Sequence, residues 1–390
     1  MHLAYTPEQE ALRLELRRYF AALLTPEVRA EVAYGEASGA MYRKVIRQMG
    51  TDGWLGIGWP KEYGGQGRSP IEQFLFYDEA NRARAPVPLV TLNTVGPTLM
   101  LYGSEAQKQQ FLPAILRGEL HFAIGYSEPG AGTDLASLRT RAVRDGDEYI
   151  VNGSKVFTTG GHDSEYIWLA TRTDPDAPKH KGISILLVDT TLPGFKATPI
   201  HTLAGGRTNA TFYDDMRVPV SALVGVENQG WKLITTQLNH ERVAMCPPGR
   251  VEQALENVTA WAAQTVRAGR RVIDEPWVQL SLARVHAAAE ALKLLNWRVA
   301  WSLGSGGLNP AHASSVKVYG TEMYIRAFTL LLEIVGDAGY LTEDSPDAVL
   351  GARLEHDYRQ AFVGTFGGGV NEVQREIIAT AGLGMPRSPR

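Results

Sequence analysis

The order of patterns along the sequence predicts an α+β protein with a helical first part, a central β domain and a C-terminal helical bundle. Three observations support this prediction: capped helical patterns before Gly118, alternating strand patterns after it, and long amphipathic stretches beyond Gly230. Strands and helices do not alternate along the chain, which argues against a doubly wound nucleotide-binding fold. The predicted domains cover residues 1–121, 122–229 and 230–390.

Helix start signals open the first domain. Thr6 stands before Pro7 and three residues before Gln9, which is the pattern of a capping box with proline at the first helical position. Leu12 and Leu16 continue the helical spacing of apolar residues. Ser104 is predicted to cap a later helix of the same domain.

The central domain is marked by a change to strand patterns. The stretch RAVRDGDEYIVNGSKVFTTGG (141–161) alternates apolar and polar residues around an Asp145-Gly146 turn. The β pattern lasts for roughly a hundred residues, which suits a small sheet or barrel domain.

The third domain is predicted to be a bundle because its longest segments are amphipathic at helical spacing. These segments cover residues 276–301 and 313–335, with the glycine-rich linker 304–310 between them. An earlier helix begins near Gly230. We expect it to kink or end at Pro247-Pro248, since proline cannot donate a backbone hydrogen bond.

Composition excludes several classes of function. The net charge is −3, so there is no basic footprint for nucleic acid and no polybasic membrane anchor. No apolar run has the length of a membrane span, and the N-terminus lacks the pattern of a secretory signal. Cys246 is the only cysteine, which excludes an internal disulfide and a cysteine-cluster metal site. We therefore expect a cytoplasmic enzyme without a metal and without a nucleic-acid or membrane partner.

Three stretches could carry chemistry. YSEPGAGTDLAS (126–137) can form a backbone nest for a phosphate or a polarised carbonyl, and a plain turn is an equally good interpretation. KVFTTGG (155–161) reads as a strand in which Thr158 and Thr159 face opposite sides, although threonines are also ordinary strand formers. NHERVAM (239–245) carries Glu241, whose carboxylate could equally be a solvated surface group.

Taken together, the motifs resemble the acyl-CoA dehydrogenase family over essentially the whole chain. The resemblance rests on four stretches in the family's order and spacing: GWLGIGWPKEYGGQG (53–67), YSEPGAGTD (126–134), NGSKVFTTGG (152–161) and GGGVNEVQREII (367–378). It implies an N-terminal helical domain, a central β-barrel domain and a C-terminal four-helix bundle. It also implies FAD as cofactor and α,β-dehydrogenation of an acyl-CoA thioester as the reaction.

The resemblance assigns flavin-binding roles to three segments. The first lines the flavin and its phosphates, and its last member also lies near the thioester: Tyr126, Ser127, Gly130, Gly132 and Thr133. The second packs on the isoalloxazine: Phe157, Thr158 and Thr159. The third lies beside the flavin at the start of the last helix: Gly369, Val370 and Asn371.

The glycine loop 367–370 decides where the catalytic base must be. In many family members this loop holds a glutamate, and that position is Gly368 here, which has no carboxylate. A minority of the family carries the base on the first C-terminal helix, directly before an arginine, and Glu241 stands before Arg242 in that position. Glu241 is therefore the expected base, and Gly368 is expected to donate its N–H to the thioester oxygen. The residues around Glu241 are expected to contact substrate: Asn239, His240 and Arg242.

Two family elements that hold the diphosphate of a neighbouring subunit's FAD are altered. An Arg-x-x-Phe-Gly element is missing from residues 267–277, and the Gln-x-x-Gly-Gly-x-Gly element has Glu333 and Asp337 in place of its glutamine and second glycine. Carboxylates repel a diphosphate. We therefore expect a homologous acyl-CoA dehydrogenase subunit as partner, in an α2β2 assembly. The resemblance further implies an electron-transfer flavoprotein as acceptor.

The agreement is greatest with actinobacterial enzymes that act on CoA thioesters of steroid side chains, so a bulky or branched acyl group is expected. Two other functions remain open on the same fold. The chain could be a non-catalytic scaffold subunit, or it could be a flavin monooxygenase or oxidase in which Glu241 has no role as a base.

Overall fold

The computed structural model describes residues 3–32, 38–240, 246–305, 307 and 309–386. Helices build the first part of the chain. The predicted capping box at Thr6 and the predicted cap at Ser104 are confirmed, and the Ser104 cap is also a capping box. The Thr6 N–H donates to Gln9 Oε1 at 3.0 Å, and the Ser104 N–H donates to Gln107 Oε1 at 3.0 Å. The helices are α1 (Pro7–Leu23), α2 (Pro26–Val32), α3 (Ala40–Thr51), α4 (Pro70–Ala83), α5 (Gly96–Tyr102) and α6 (Glu105–Leu116).

Eight strands form the central domain: β1 (Phe122–Gly125), β2 (Arg141–Asp145), β3 (Glu148–Lys155), β4 (Tyr166–Arg172), β5 (Ile183–Asp189), β6 (Phe195–His201), β7 (Arg207–Pro219) and β8 (Leu223–Val224). Their pairing order is β6-β7-β3-β2-β4-β5-β8, and β1 lies parallel to β4. The predicted hairpin between β2 and β3 is confirmed, because Asp145 pairs with Glu148 around Gly146, whose φ is 63°. A single parallel pair between β2 and β4, Arg141 with Arg172, joins the two halves of the sheet.

The third part is helical, with one small hairpin: α7 (Gly230–His240), α8 (Gly249–Gln264), β9 (Val266–Arg267), β10 (Arg270–Arg271), α9 (Pro276–Gly304), α10 (Pro310–Val335), α11 (Arg353–Ala361), α12 (Val363–Phe366) and α13 (Asn371–Ile377). The two predicted long helices are confirmed as α9 and α10, with 29 and 26 residues. They pack with α8 around a separate apolar core that includes Val258, Leu292 and Phe328.

The prediction of a helix break at the two prolines falls at the edge of the described chain. No helix covers Cys246–Pro248, and α8 begins directly afterwards at Gly249. Within the described ranges, no helix is long and apolar enough to span a bilayer.

The first and third parts meet where α4 packs against α8 and α9. Asp78 of α4 is buried, and its Oδ1 accepts a hydrogen bond of 2.8 Å from the N–H of Gly249, the first residue of α8. A carboxylate at a helix N-terminus satisfies one of the free N–H groups there. Asp78 therefore fixes the start of α8 against the N-terminal helices.

Burial, together with the nearby Glu252 and Glu79 carboxylates, raises the pKa of Asp78 from 3.8 to about 8. The native chain then binds a proton that the unfolded chain releases, so the contribution of Asp78 to stability falls as pH rises between these two values. Asp78→Asn keeps the acceptor oxygen and removes the ionisation. Relative to wild type, its melting temperature should rise between pH 4.5 and pH 8.5 by several °C, equivalent to about 1–3 kcal/mol.

The matched control is Asp145→Asn, which removes an exposed carboxylate paired with Arg217 on the sheet surface. Thermal unfolding followed by circular dichroism at both pH values measures the difference. A melting-temperature difference between Asp78→Asn and wild type that does not change with pH would contradict the predicted titration of Asp78.

Candidate active site

A buried ion pair anchors the turn that follows β1. Lys155, the last residue of β3, has a fully buried side chain, and its Nζ donates to Glu128 Oε1 at 2.8 Å and to the Tyr126 carbonyl at 3.1 Å. The Glu128 carboxylate also accepts from the Thr140 N–H at 2.8 Å and the Thr140 hydroxyl at 2.7 Å. These bonds tie residues 126–128 to the base of the sheet from two directions.

The electrostatics of the pair follow from its burial. Burial lowers the pKa of Lys155 to about 8, against the opposing effect of the Glu128 carboxylate. Burial alone would raise the pKa of Glu128, but Lys155 and the donors of Thr140 lower it overall. Moving the turn would separate Lys155 from Glu128 and leave an uncompensated buried charge. The ion pair therefore holds the turn in one position.

The far side of the same turn is open. A Cβ at Gly130 or Gly132 would have no protein atom within 4 Å, and Thr133 is exposed. Ser127 is held by its carbonyl, which accepts from the Val156 N–H at 2.8 Å. The predicted flavin-contacting turn is thus rigid on the protein side and bare on the outer side, which suits close approach of a ligand to its backbone.

Tyr126 connects this turn to α7. Its hydroxyl accepts from Trp168 Nε1 at 3.0 Å and donates to Gln237 Oε1 at 2.6 Å. The Nε2 group of Gln237 is buried and has no hydrogen-bond partner among the described residues. An unsatisfied buried donor costs about 1–3 kcal/mol, so this amide fits a site completed by a ligand acceptor. Sequence reasoning missed Gln237, because an isolated helical glutamine carries no local signal.

The segment after β3 differs from the prediction. The strand ends at Lys155, so Phe157, Thr158 and Thr159 lie in the loop that follows rather than in a strand. Thr158 is buried and its N–H donates to the Asn209 carbonyl at 2.9 Å, whereas Thr159 is exposed. The two threonines therefore do differ in direction, but because of a turn and not because of strand alternation.

Phe157 combines a strained backbone conformation with an exposed aromatic ring. Its φ is 62°, in the left-handed region, and 65% of its surface is exposed. A bulky residue at positive φ is strained, and such strain concentrates at functional sites. The exposed ring, next to the bare turn, is suited to packing on a planar ligand.

The glycine loop joins α12 to α13. Gly368 and Gly369 have φ values of 65° and 94°, which explains why side chains are disfavoured there. Within the described chain, the Gly368 N–H has no hydrogen-bond partner. Val370 precedes α13, whereas the Asn371 side chain is buried and bonded to α10 through Thr321 at 3.1 Å. Any contact of Asn371 with a cofactor would therefore come from its backbone.

The remaining predicted residues lie at or beyond the edge of the described chain. Asn239 and His240 are the last two residues of α7. Glu241 and Arg242 lie outside the described residues. Among described residues, the Tyr126 contact to Gln237 brings α7 to the predicted flavin turn one helical turn before position 241.

The C-terminal end of α10 carries the altered diphosphate element. Glu333 and Asp337 are both exposed there. The Arg267 guanidinium donates to the carbonyls of Ile334 at 3.3 Å and Val335 at 2.5 Å. A Cβ at Gly336 would lie 3.3 Å from Arg267 Nη1. This helix end is thus capped by the chain's own arginine and flanked by two carboxylates.

Comparison with known proteins identifies the family. The family models of the acyl-CoA dehydrogenase N-terminal, middle and C-terminal domains match residues 6–119, 123–215 and 228–383. The chain is 56% identical to acyl-CoA dehydrogenase FadE26 and 56% identical to acyl-CoA dehydrogenase FadE29, both of Mycobacterium tuberculosis, over the full length of each pair.

Solved structures give the same answer. A chain of the ChsE4–ChsE5 complex from Mycobacterium tuberculosis superposes with a TM-score of 0.94 at 56% identity, with all of both chains covered. A chain of the Tcur3481–Tcur3483 steroid ACAD gives 0.95 at 53% identity, again with full coverage. The predicted order of helical, β and helical domains is confirmed, while the boundaries after residues 121 and 229 stay predictions. The chain belongs to the acyl-CoA dehydrogenase family and is an acyl-CoA dehydrogenase.

Proposed function

We propose that the chain catalyses FAD-dependent α,β-dehydrogenation of an acyl-CoA thioester with Glu241 as the base. The observation that carries this proposal is the glycine loop, where Gly368 has no carboxylate and its N–H has no hydrogen-bond partner among the described residues. The α-proton must then be removed by a carboxylate from another element, and Glu241 follows α7 in the sequence. When bound, FAD accepts the β-hydrogen as hydride.

The chain's own groups divide the work. Glu241 takes the α-proton, and the Gly368 N–H donates to the thioester oxygen as negative charge develops on it. Asn239, His240 and Arg242 are neighbours of the base in the sequence and are proposed to orient the substrate. The α-proton of a thioester is only weakly acidic, so a fixed donor at the carbonyl oxygen is needed to stabilise the negative charge that develops there.

The fit to FAD rests on what the described residues offer. The open turn at Tyr126, Ser127, Gly130, Gly132 and Thr133 can receive flavin and phosphate oxygens on its backbone. The exposed and strained Phe157, with Thr158 and Thr159, can pack on the isoalloxazine. The flavin is proposed to be contacted on its remaining side by the start of α13, through Gly369, Val370 and the backbone of Asn371.

We propose a bulky acyl group, such as a steroid side-chain CoA ester, as the substrate. The Tcur3481–Tcur3483 structure is that of a steroid ACAD, and its chain is 53% identical to this one. Gly367, Gly368 and Gly369 leave the space near the thioester free of side chains, which favours a branched or ring-bearing acyl group over a straight one.

Glu241→Gln tests the base. The variant keeps size and polarity but cannot accept the proton, so anaerobic flavin reduction by acyl-CoA should fall by about three or more orders of magnitude while flavin stays bound. Stopped-flow absorbance of the flavin measures the rate. Glu256→Gln is the matched control, since Glu256 is an exposed α8 carboxylate paired with Arg82, and it should reduce at the wild-type rate.

Other outcomes of the same experiment separate the rival functions. Near-normal reduction of Glu241→Gln would exclude it as the base. A monooxygenase or oxidase would be favoured if acyl-CoA does not reduce the flavin of the wild-type protein but the protein consumes oxygen with an external reductant. A wild-type protein inactive in both assays would favour a scaffold subunit.

Two substitutions at Gly368 test the space for a bulky acyl group. Gly368→Ala introduces backbone strain at φ 65° and adds only a methyl group, so it should reduce turnover of short and bulky thioesters by similar factors. Gly368→Glu adds a carboxylate side chain to the same strain. It should lower kcat/KM for a steroid side-chain thioester at least tenfold further than for a short straight-chain thioester. Equal losses on both substrates would mean that Gly368 acts only through its backbone.

We propose a homologous acyl-CoA dehydrogenase subunit as partner, in an α2β2 assembly. The ChsE4–ChsE5 and Tcur3481–Tcur3483 structures each contain two different chains by name. In this chain the flavin-ring half of the site is open, whereas the helix end expected to hold a diphosphate is capped by Arg267 and flanked by Glu333 and Asp337. A partner with an intact diphosphate element would complete each site. An electron-transfer flavoprotein is the proposed acceptor of the electrons.

Flavin stoichiometry tests the assembly. Co-expressed with a homologous partner, the chain should purify with one flavin per two chains and the native mass of a tetramer. Expressed alone, it should be poor in flavin or poorly soluble. Native mass spectrometry and flavin absorbance provide both numbers. A homotetramer with one flavin in every chain and normal turnover would refute the proposal.

A further inference from the structure

A buried lysine lies directly beneath the glycine loop. Lys317 of α10 is only 2% exposed, and its Nζ donates three hydrogen bonds. The acceptors are the Thr365 carbonyl at 3.1 Å, the Gly369 carbonyl at 2.6 Å and Asn371 Oδ1 at 2.7 Å. An ammonium has three donors, so all the donor capacity of Lys317 is used by the end of α12, the glycine loop and the first residue of α13.

The surroundings of Lys317 differ from those of an ordinary buried lysine. Lys155 is also buried, but it forms an ion pair with Glu128. Within the described residues, no carboxylate oxygen lies within 4 Å of Lys317 Nζ. A buried ammonium that is bound only by neutral oxygens has a desolvation cost that no opposite charge compensates, so stability alone does not account for this arrangement.

The loop has few contacts of its own, of which one is the hydrogen bond of 2.7 Å from the Gly367 N–H to the Val363 carbonyl. Gly367, Gly368 and Gly369 have no side chains to pack, and the last two take positive φ values. The two carbonyls that Lys317 binds stand at positions 365 and 369, on either side of Gly368. Fixing both ends of this short segment fixes the direction of the Gly368 N–H between them, which has no partner of its own in the described chain.

We infer that Lys317 is a positioning residue of the reaction: it holds the glycine loop from behind, so that the Gly368 N–H points at the thioester oxygen. This inference rests on the proposed function. A donor contributes to the transition state only when it is held in place before the reaction, and a loop that samples several conformations loses that contribution. Lys317 does not contact the substrate.

The same stretch of α10 also contacts the segment that follows the base. A Cβ at Gly320 would lie 2.6 Å from Cys246 Cβ, so this helix passes directly against the chain just after residues 241–245. Lys317 and Gly320 are one helical turn apart. One face of α10 is therefore the common support of the glycine loop and of the C-terminal side of the base segment.

The test uses the flavin-loaded holoenzyme with two variants of Lys317. Lys317→Met keeps the length and removes the charge and all donors, and Lys317→Gln keeps an amide donor. We expect kcat to fall about 10- to 100-fold in Lys317→Met and less in Lys317→Gln, with KM within about threefold of wild type and flavin content unchanged. If Lys317→Met does not fold, Lys317→Gln supplies the same comparison at a smaller amplitude.

Two readouts separate positioning from general damage. Hydrogen exchange of peptides covering residues 362–377 should become at least tenfold faster than in wild type, while peptides of β3 and β4 stay unchanged. The infrared carbonyl stretch of a bound 2-enoyl-CoA, labelled with 13C at the thioester carbon, should shift toward its frequency in water. Lys293→Met is the matched control: Lys293 is a partly buried lysine of α9 paired with Glu252 and Glu290, and its loss should alter neither readout.

The outcomes are distinct. Faster exchange with wild-type kcat and carbonyl stretch would overturn the inference, and so would a loss of kcat without faster exchange of the loop. If the wild-type enzyme reduces no flavin with any acyl-CoA, the proposed function fails by that assay alone. In that case the exchange experiment still decides whether Lys317 holds the loop, and unchanged exchange overturns the inference independently.

Discussion

Backbone that faces a ligand without side chains must be held in place from behind, and the site of this chain depends on that constraint. The turn at residues 126–134 and the loop at residues 367–370 are both irregular and glycine-rich, and their glycines have no side chains to pack. A buried lysine binds the carbonyl groups of each: Lys155 binds Tyr126, and Lys317 binds Thr365 and Gly369. An ammonium suits this task because it donates three bonds from one point, which lets it gather carbonyls that regular structure leaves unpaired.

The buried charges of the two lysines are compensated by different groups. Lys155 has a carboxylate partner in Glu128, so the β domain contains a neutral pair that is stable without any ligand. Lys317 relies on carbonyl dipoles and on Asn371. Burial lowers its pKa, and Cys246, Glu372 and Glu322 oppose that shift. The first arrangement links the turn to the sheet and has a purely structural role. The second leaves a charge near the glycine loop, where negative charge would develop on a bound thioester.

How much of this could be predicted from the sequence depends on the range of each interaction. The capping boxes at Thr6 and Ser104 and the β2–β3 hairpin at Gly146 involve residues three apart, so their signals are local and complete. The contact of Gln237 with Tyr126 joins residues 111 apart, and no local pattern announces it. The strand ending before Phe157 was also invisible, because apolar alternation continues past the point where the backbone turns. The family resemblance supplied the flavin motifs and the base, but it could not show which polar groups support them.

The end of α10 differs from the candidate site in how its polar groups are satisfied. The last carbonyl groups of a helix need hydrogen-bond donors. A diphosphate offers only acceptors, so the carbonyls of a helix end near a diphosphate must receive their hydrogen bonds from other groups. Here Arg267 donates to the carbonyls of Ile334 and Val335 and lies 5.2 Å over the Trp261 ring, which fixes its position. That end is therefore complete without a ligand. Among the described residues, the Gly368 N–H and the buried Gln237 Nε2 have no hydrogen-bond partner. The chain thus combines a helix end whose carbonyls are satisfied internally with a site whose donors are not, and this difference is the physical basis of the proposal that a second, unlike subunit completes each flavin site.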